Sequence, residues 1–231
     1  MVTGYDKGLV AKEGLIAQGR GEAFDYLIGE KTSKSANKAI KAAAISLVSA
    51  KSPVISVNGN VASLCPKETI RLAKIIDARI EVNLFYANEK RKKRIAKILK
   101  KNGAKEILGL DSKSAKRIPK LDSPRRAVDI KGIYSADLVL VPLEDGDRTV
   151  ALRKLGKKII TFDLNPLSRT AQTADITIVD DVIRGMKKLI NTCEKIKKAK
   201  RKQSNHFNNK KNLSDAVLEI KKNLRRRAVY A

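Results

Sequence analysis

Short apolar runs alternate with longer amphipathic segments along most of this chain. The apolar runs at residues 54–57, 79–85, 105–108, 137–142, 158–163 and 175–179 predict strands. The segments at residues 32–50, 66–78, 89–102, 148–155 and 181–196 have apolar residues at helical spacing and predict helices. Strands that alternate with helices and have nearly continuous apolar cores are typical of parallel sheets. We therefore expect an α/β fold: an open, mostly parallel, Rossmann-like sheet with helices on both faces.

Two segments depart from this alternation. Residues 110–132 are polar and contain Pro119 and Pro124, which predicts a long loop with a functional or docking use. Residues 197–231 are rich in Lys and Arg, yet they keep an apolar stripe at helical spacing. We interpret this tail as a basic linker followed by one amphipathic C-terminal helix, attached to a main domain at residues 1–196.

Charge is the most unusual property of the composition. The 50 Lys and Arg residues against 24 Asp and Glu residues give a formal net charge of +26. A surface of this charge attracts polyanions, which include phosphorylated ligands.

Histidine and cysteine counts exclude several kinds of site. The chain has one His, His206, and two Cys, Cys65 and Cys193, without a CxxC motif. This excludes a structural zinc site, a thioredoxin-type motif and any catalytic plan that needs several His ligands. No apolar run is long enough to span a membrane, and no secretory leader is recognisable at the N-terminus. These features favour a reducing cytoplasm.

Polar residues follow several predicted strands, and ligands of parallel sheets bind at the carboxyl ends of strands. Asn58-Gly59-Asn60 follows the first strand. One interpretation is an anion-binding turn beside a helix N-terminus. The other is a simple Asn-Gly turn with left-handed backbone angles.

Three carboxylates and an arginine follow the strand at residues 137–142: Glu144, Asp145, Asp147 and Arg148. The carboxylates can hold Mg²⁺ through their oxygens or receive an ammonium group. Asp147 can also act only as the cap of the next helix. The sequence leaves these alternatives open.

The next two strands are also followed by polar residues. The strand at residues 158–163 ends in Asp163 and is followed by Leu164 and Asn165, and these three residues suit ribose or base recognition. Arg169, followed by Thr170, can bind a phosphate through two parallel hydrogen bonds. The alternative is an Asx-Pro turn with a solvated arginine. Asp181 and Val182 follow the last strand, where the aspartate can simply cap a helix.

Known nucleotide fingerprints are missing from the chain. There is no GxxxxGK[ST] and no GxGxxG. Gly19-Arg20-Gly21 resembles an anion-binding loop, but the triplet is a weak signal.

Several stretches, taken together and in this order, resemble one family, the archaeal phosphopantothenate synthetases or 4-phosphopantoate–beta-alanine ligases. They run from Gly14 to Asp181 and read GLIAQGRGEAFDYLIGEKT, PVISVNGNVA, IEVNLFY, GIYSADLVLVPLEDGDRT, DLNPLSRTA and ITIVDD. The resemblance implies a cytoplasmic enzyme of coenzyme A biosynthesis. It would join 4-phosphopantoate to beta-alanine with ATP and Mg²⁺ through an acyl-adenylate, release AMP and pyrophosphate, and form a homodimer.

The resemblance also implies roles for individual residues, with residues 1–196 as the catalytic domain. It implies ATP contacts for Arg20, Asp163, Leu164, Asn165, Arg169, Thr170, Asp181 and Val182. The residues expected to contact substrate or metal, or to assist acyl transfer, are Asn58, Asn60, Glu144, Asp145, Asp147 and Arg148. The metal ligands and the general base are not assigned.

The chain departs from the family pattern at three places. Gln18 stands where a histidine is expected, and Ala87 stands where an arginine is expected. Family members also have a polar N-terminal extension with an arginine implicated in ATP binding, and we expect this chain to lack it.

Two other functions compete with the ligase. The basic tail and residues 90–101 are compatible with nucleic-acid binding. The five Tyr and four Phe residues, however, are not interleaved with the basic runs, so only non-specific, salt-sensitive binding is expected. The second alternative is a nucleotide-binding relative without catalytic activity.

Overall fold

The computed structural model describes residues 1–199 and 206–229. Its strands are β1 Pro53–Val57, β2 Arg79–Val82, β3 Ala115–Arg117, β4 Ala127–Asp129, β5 Leu138–Leu140, β6 Lys158–Phe162 and β7 Ile176–Ile178. Its helices are α1 Val2–Asp6, α2 Lys12–Ile28, α3 Lys34–Ser49, α4 Gly59–Leu64, α5 Pro66–Ile76, α6 Glu89–Lys101, α7 Gly146–Lys154, α8 Arg169–Thr173, α9 Val182–Ala199 and α10 Asn209–Ala228. Short turns of 3-10 helix lie at Ser112–Ser114 and Pro124–Arg126, and a π-type turn lies at Ile130–Tyr134.

The central sheet has five strands in the order β2-β1-β5-β6-β7, and its neighbouring strands pair in parallel. This confirms the predicted α/β class and parallel sheet. The chain first moves outward from β1 to β2 and then returns to build β5, β6 and β7 on the other side of β1. The order therefore reverses between β1 and β5. In doubly wound sheets, ligands bind in the crevice that opens at the carboxyl ends of the strands at such a point.

Alternate residues of the strands pack against two different layers. Ile55, Leu140 and Ile160 belong to the larger apolar cluster, together with buried residues of α3, α5, α6 and α9. Val54 and Val139 belong to the second cluster, on the other side of the sheet. Both sides of the sheet are buried, which explains why the strands are almost continuously apolar in sequence.

The second layer contains α7 and the segment that was predicted to be a long loop. Within residues 110–132, β3 and β4 form an antiparallel pair, so the prediction of an entirely irregular segment is wrong. Ile118, Leu121 and Val128 are buried against the sheet. The predicted strand at residues 105–108 is also wrong: Leu108 makes only an isolated bridge to Glu81, and Gly109, at φ 80°, turns the chain away.

A buried carboxylate attaches this second layer to the sheet. Glu81, in the edge strand β2, accepts hydrogen bonds from Asp129 N at 3.2 Å and Ile133 N at 2.7 Å. A Cβ atom at Gly132 would lie 2.0 Å from Glu81 Oε2, so any other residue there would displace this carboxylate. Burial raises the pKa of Glu81 to about 7, although the two amide hydrogen bonds oppose this rise.

The C-terminal helix α10 packs against the joint between α2 and α3. Glu219 accepts hydrogen bonds from Ser35 N at 3.1 Å and Ser35 Oγ at 2.6 Å, and Asn223 Nδ2 donates to Leu27 O at 2.9 Å. The predicted amphipathic helix is therefore present, with Leu213 buried. The helix before it, α9, continues to Ala199. The predicted linker falls mostly on residues 200–205, which lie outside the described part of the chain.

None of the helices in the described ranges has both the length and the apolar character needed to cross a lipid bilayer.

The free energy of unfolding should fall as pH rises, because Glu81 has a higher pKa in the folded chain than in the unfolded chain. Between the ordinary value of 4.5 and about 7, the folded state binds more protons than the unfolded state. We expect a loss of roughly 3 kcal/mol across this window, measured by denaturant titration at several pH values. Glu81→Gln should make this slope clearly smaller, with the remainder coming from Asp163 and Asp180, whose pKa is also raised by burial. Glu106→Gln, at an exposed position, should keep the full slope. An unchanged slope in Glu81→Gln would contradict the assignment.

Candidate functional site

Two asparagines organise the crevice between β1 and β5. Asn58 Nδ2 donates to Pro142 O at 3.1 Å and Leu143 O at 3.0 Å, which ties the end of β1 to the segment after β5. Asn60 Nδ2 donates to Gly14 O of α2 at 2.9 Å. The two predicted positions thus lie at the carboxyl edge of the sheet. Both polar atoms of the Asn58 side chain form hydrogen bonds with the surrounding backbone.

Gly59 does not form the left-handed turn considered from the sequence. It is the first residue of α4, and Asn58 Oδ1 caps this helix by accepting from Val61 N at 3.0 Å. Glycine is needed for space, since a Cβ atom at this position would lie 2.2 Å from Leu9 O. The turn interpretation is therefore wrong.

Glu144 is buried between two arginines. Its side chain is 2% exposed and forms ion pairs with Arg125, from the turn before β4, and with Arg148 of α7. Arg148 also donates to Ser56 Oγ of β1 at 3.1 Å. Burial lowers the pKa of Arg125 to about 9 and that of Arg148 to about 10, and the two guanidinium groups are close enough that Arg148 further lowers the pKa of Arg125.

Each of the two buried arginines has one hydrogen-bond donor without a partner among the described residues. Arg125 Nε and Arg148 Nε are buried and have no hydrogen-bond partner within the described residues. Arg148 is fully buried and holds Glu144, and its predicted contact with substrate or metal stays a prediction.

Asp145, and not Asp147, caps α7. Asp145 Oδ1 accepts from Arg148 N at 2.8 Å, and its Oδ2 lies 3.1 Å from Arg125 Nη1. Asp147 lies inside the first turn, is exposed, and pairs with Arg169 at 2.6 Å. The predicted cap is therefore wrong by two positions, because α7 begins at Gly146. A Cβ atom at Gly146 would lie 2.5 Å from Arg169 Nε, so the glycine leaves room for this arginine.

A first cavity, the Asp163 cavity, gathers most of the predicted residues in a volume of about 530 Å³. Its predicted lining residues are Arg20, Asn60, Glu144, Asp145, Asp163, Leu164, Asn165, Arg169 and Thr170. Asp163 accepts from Asn165 N at 2.9 Å and from Ser168 Oγ. Burial raises the pKa of Asp163, whereas these hydrogen bonds and the nearby Arg20 lower it.

Arg20 lines this cavity from a helix. Gly19 and Gly21 lie within α2, so the interpretation of this triplet as an anion-binding loop is wrong. The regular helix nevertheless places the exposed Arg20 over the end of β6. Gln18, on the same helix, also lines the Asp163 cavity and donates to Glu22 Oε1 at 3.2 Å.

Asp181 and Val182 are not among the residues that line the Asp163 cavity. Asp181 Oδ1 accepts from Ile183 N at 3.1 Å and Arg184 N at 2.9 Å, as the cap of α9. Val182 is buried in the larger apolar cluster. An ATP contact at these two positions stays a prediction.

A second cavity, the Arg91 cavity, adjoins the first and has a volume of about 520 Å³. Arg91 Nε donates to Leu9 O at 3.0 Å, and its Nη1 donates to Tyr86 O at 2.7 Å. Burial lowers the pKa of Arg91. Arg125 also lines this cavity, with its guanidinium 5.8 Å from the centre of the Phe85 ring.

Sequence reasoning missed both Arg91 and Arg125. Arg91 is in the basic segment at residues 89–102, where nothing distinguishes it from its Lys neighbours. The only local signal is the cap of α6: Asn88 accepts from Arg91 N at 2.7 Å, which fixes Arg91 in the first turn. Arg125 is in the segment that was predicted to be a loop, so only the tertiary structure places it at the site.

A third cavity, the Lys120 cavity, lies between residues 119–123 and α7 and has a volume of about 780 Å³. Charged side chains of both signs line it: Lys120, Asp122, Asp145, Asp147 and Lys154. Asp145 lines all three cavities. It therefore stands where the three spaces meet.

The three carboxylates do not form a metal site by themselves. No group of three or more His, Cys, Asp or Glu side chains that could hold a metal ion occurs within residues 1–199 and 206–229. Glu144 and Asp145 pair with Arg125 and Arg148, and Asp147, the most exposed of the three carboxylates, pairs with Arg169.

Comparison with known proteins identifies the family. The family described as phosphopantothenate/pantothenate synthetase matches residues 35–223. A 4-phosphopantoate–beta-alanine ligase of Thermococcus kodakarensis is 51% identical over 99% of this chain and 88% of its own length. The ligases of the same name from Thermococcus onnurineus and Methanosarcina mazei are 49% and 47% identical, each over 97% of this chain and over 87% and 89% of their own lengths.

These matches cover the sheet, the three cavities and α10, and they confirm the resemblance seen in the sequence. This chain belongs to the phosphopantothenate/pantothenate synthetase family.

Proposed function

We propose that this chain joins 4-phosphopantoate to beta-alanine with ATP, forming 4-phosphopantothenate, AMP and pyrophosphate. The observation that carries the proposal is the meeting of three cavities at the carboxyl edge of the sheet, in a chain whose relatives are named 4-phosphopantoate–beta-alanine ligases. The nucleic-acid-binding and non-catalytic alternatives are not favoured by these relatives.

The Asp163 cavity is the proposed ATP site. Asp163, held by Asn165 and Ser168, offers a carboxylate that ribose hydroxyls can reach as donors. Leu164 and Phe24 supply apolar surface beside it. The exposed guanidinium groups of Arg20 and Arg169 suit the phosphates, because arginine binds phosphate oxygens with two parallel hydrogen bonds.

The Arg91 cavity is the proposed site of 4-phosphopantoate, which carries a phosphate and a carboxylate. Within the described residues, neither Arg91 nor Arg20 has an ion-pair partner, and Arg91 bonds only to backbone carbonyls. Both therefore keep their charge for an anionic ligand. Arg125 also lines this cavity, although its charge is shared with Glu144.

The proposed chemistry has two steps. In the first, a carboxylate oxygen of 4-phosphopantoate bonds to the α-phosphorus of ATP, and pyrophosphate leaves. In the second, the original ammonium of beta-alanine gives up two protons to water, its nitrogen bonds to the acyl carbon, and the carbon–oxygen bond to AMP breaks as AMP leaves. Arg20 and Arg169 would stabilise the phosphate charge in the first step. The adjoining cavities would hold the reactants close together.

Mg²⁺, a homodimer and a cytoplasmic location complete the proposal. Mg²⁺ that is bound to phosphates needs only one or two carboxylates from protein. Asp147 fits this role, because it is exposed and pairs with Arg169 of the ATP site. The exposed apolar side chains of Ile16 and Tyr26 on α2 support a contact with a second copy. The buried free thiols of Cys65 and Cys193 suit a reducing compartment.

An assay for AMP tests the proposed reaction. The purified chain with ATP, Mg²⁺, 4-phosphopantoate and beta-alanine should form AMP and 4-phosphopantothenate in equal amounts. Omitting beta-alanine or 4-phosphopantoate should abolish continuous AMP formation. Absence of AMP with all four components present would reject the ligase function.

Replacing Asp163 should weaken ATP binding selectively. The KM for ATP of Asp163→Ala should rise about tenfold or more, since a hydrogen bond to a charged group contributes about 1.5–3 kcal/mol. The KM for 4-phosphopantoate should change by about twofold at most, which is a much smaller difference in binding free energy. Asp215→Ala, on α10 and outside these cavities, is the control. An unchanged KM for ATP in Asp163→Ala would rule out this ATP site.

Replacing Arg91 should weaken binding of the phosphorylated acid. Arg91→Gln should raise the KM for 4-phosphopantoate about tenfold or more, because a desolvated guanidinium that faces an anion is lost. Lys93→Gln removes an exposed charge from the same helix and should leave this KM unchanged. Equal effects of the two substitutions would mean that only the overall charge of α6 matters.

A further inference from the structure

Carboxylates line all three cavities, and the Lys120 cavity differs from its two neighbours in the kind of cation it presents. The Asp163 cavity and the Arg91 cavity present arginines: Arg20 lines both, Arg169 the first, and Arg91 and Arg125 the second. In the Lys120 cavity, the cationic groups are the ammonium groups of Lys120 and Lys154, and they face a space that also contains carboxylates. A cavity with both signs of charge suits a ligand that carries both signs.

The carboxylates of this cavity lie at the end that meets the other two sites. Asp145 is fixed there by capping α7 and by its contact with Arg125, yet 31% of its side chain stays exposed. Asp147 follows on the first turn of α7. An ammonium group placed beside these carboxylates would be next to the spaces proposed for ATP and 4-phosphopantoate.

Lys154 lies at the other end of the same helix face. Asp147, Val150, Ala151 and Lys154 line the cavity at helical spacing. Seven residues of helix separate Asp147 from Lys154, a rise of about 10 Å. Lys154 therefore stands at the end of the cavity away from the junction, where the carboxylate of a ligand lies if its ammonium group is beside Asp145.

The opposite wall of the cavity holds an unused polar group. Ser123 lines the cavity, and its hydroxyl is buried without a hydrogen-bond partner in the described part of the chain. Lys120, three residues earlier, is exposed on the same wall. The wall therefore offers the ammonium group of Lys120 to the carboxylate of a ligand, with the carboxylate of Asp122 two residues further along.

We propose that the Lys120 cavity is the binding site for beta-alanine in its zwitterionic form. Lys120 and Lys154 bind the carboxylate, and Asp145 receives the ammonium group at the junction with the other two cavities. This assignment rests on the proposed ligase function, because it takes beta-alanine as the amine substrate. It makes the two lysines specificity determinants for an amine that carries a carboxylate.

The test compares beta-alanine with n-propylamine, which has the same three-carbon amine but no carboxylate. We expect the wild-type chain to have a higher kcat/KM for beta-alanine than for n-propylamine. In Lys120→Ala/Lys154→Ala, this ratio should fall about tenfold or more, as expected for the loss of charged hydrogen bonds. Lys187→Ala/Lys188→Ala removes two exposed lysines of α9 and should keep the ratio. The KM values for ATP and 4-phosphopantoate should not change in either variant.

A ratio that stays the same in Lys120→Ala/Lys154→Ala overturns the assignment, even if both rates fall, because a merely structural effect lowers both rates together. Lys154→Gln changes one exposed position on α7 and provides a second test if the double variant does not fold. Its ratio should fall several-fold, and an unchanged ratio again overturns the assignment.

Failure of the ligase function has a different signature. If the wild-type chain forms no AMP with all substrates present, the proposed reaction is rejected, and the cavity is then tested by titrating beta-alanine into the intact chain in a calorimeter. Binding that is lost in Lys120→Ala/Lys154→Ala and kept in the α9 control supports the cavity. No binding to the wild-type chain rejects the cavity as well.

Discussion

The site depends on one buried carboxylate that is shared by two arginines. Glu144 holds Arg148 of α7 and Arg125 of the segment before β4, and Arg148 reaches across to Ser56 of β1. Removing one member of such a buried group costs about 3–5 kcal/mol, because a charge is left without compensation. This group therefore holds the three parts of the chain that form the crevice together, in addition to the hydrogen bonds of Asn58 between β1 and the segment after β5. Asp145, at the junction of the three cavities, is fixed by the same arginines.

The second layer explains why the crevice has this shape. One side of the sheet is covered by long helices, and part of the other side is covered by the β3–β4 pair and the turns around it. Irregular backbone over a sheet leaves amide groups to be satisfied. Glu81 accepts two of them, and Gly132 gives its carboxylate the space to do so. This anchoring keeps Arg125 at the end of β5, so a segment with little regular structure still contributes a well-placed cation.

Local patterns in the sequence predicted the sheet and the polar residues at its carboxyl edge, because strand ends carry their own signals. The strands at residues 54–57 and 158–163 end at Asn58 and Asp163 as expected, and Asp163 lines a cavity with Arg20 and Arg169. The cap of α7 was misplaced because Asp145 and Asp147 are equally good caps in sequence, and only the backbone selects between them. Arg91 and Arg125 could not be found at all. Their importance comes from neighbours far away in the chain, such as Leu9 and Glu144, and no short window contains both partners.

The contact between α10 and the joint of α2 and α3 has a consequence for how the protein is made. Ser35 and Glu219 are 184 residues apart in the chain, and Leu27 and Asn223 are 196 apart. On the ribosome, α2 and α3 are synthesised long before α10. The connection between them therefore lacks its hydrogen bonds to α10 during most of translation. Arg20 is carried by α2. The helix that brings Arg20 to the Asp163 cavity thus receives its last support only near the end of synthesis, so this wall of the cavity is among the last parts of the site to be fixed in place.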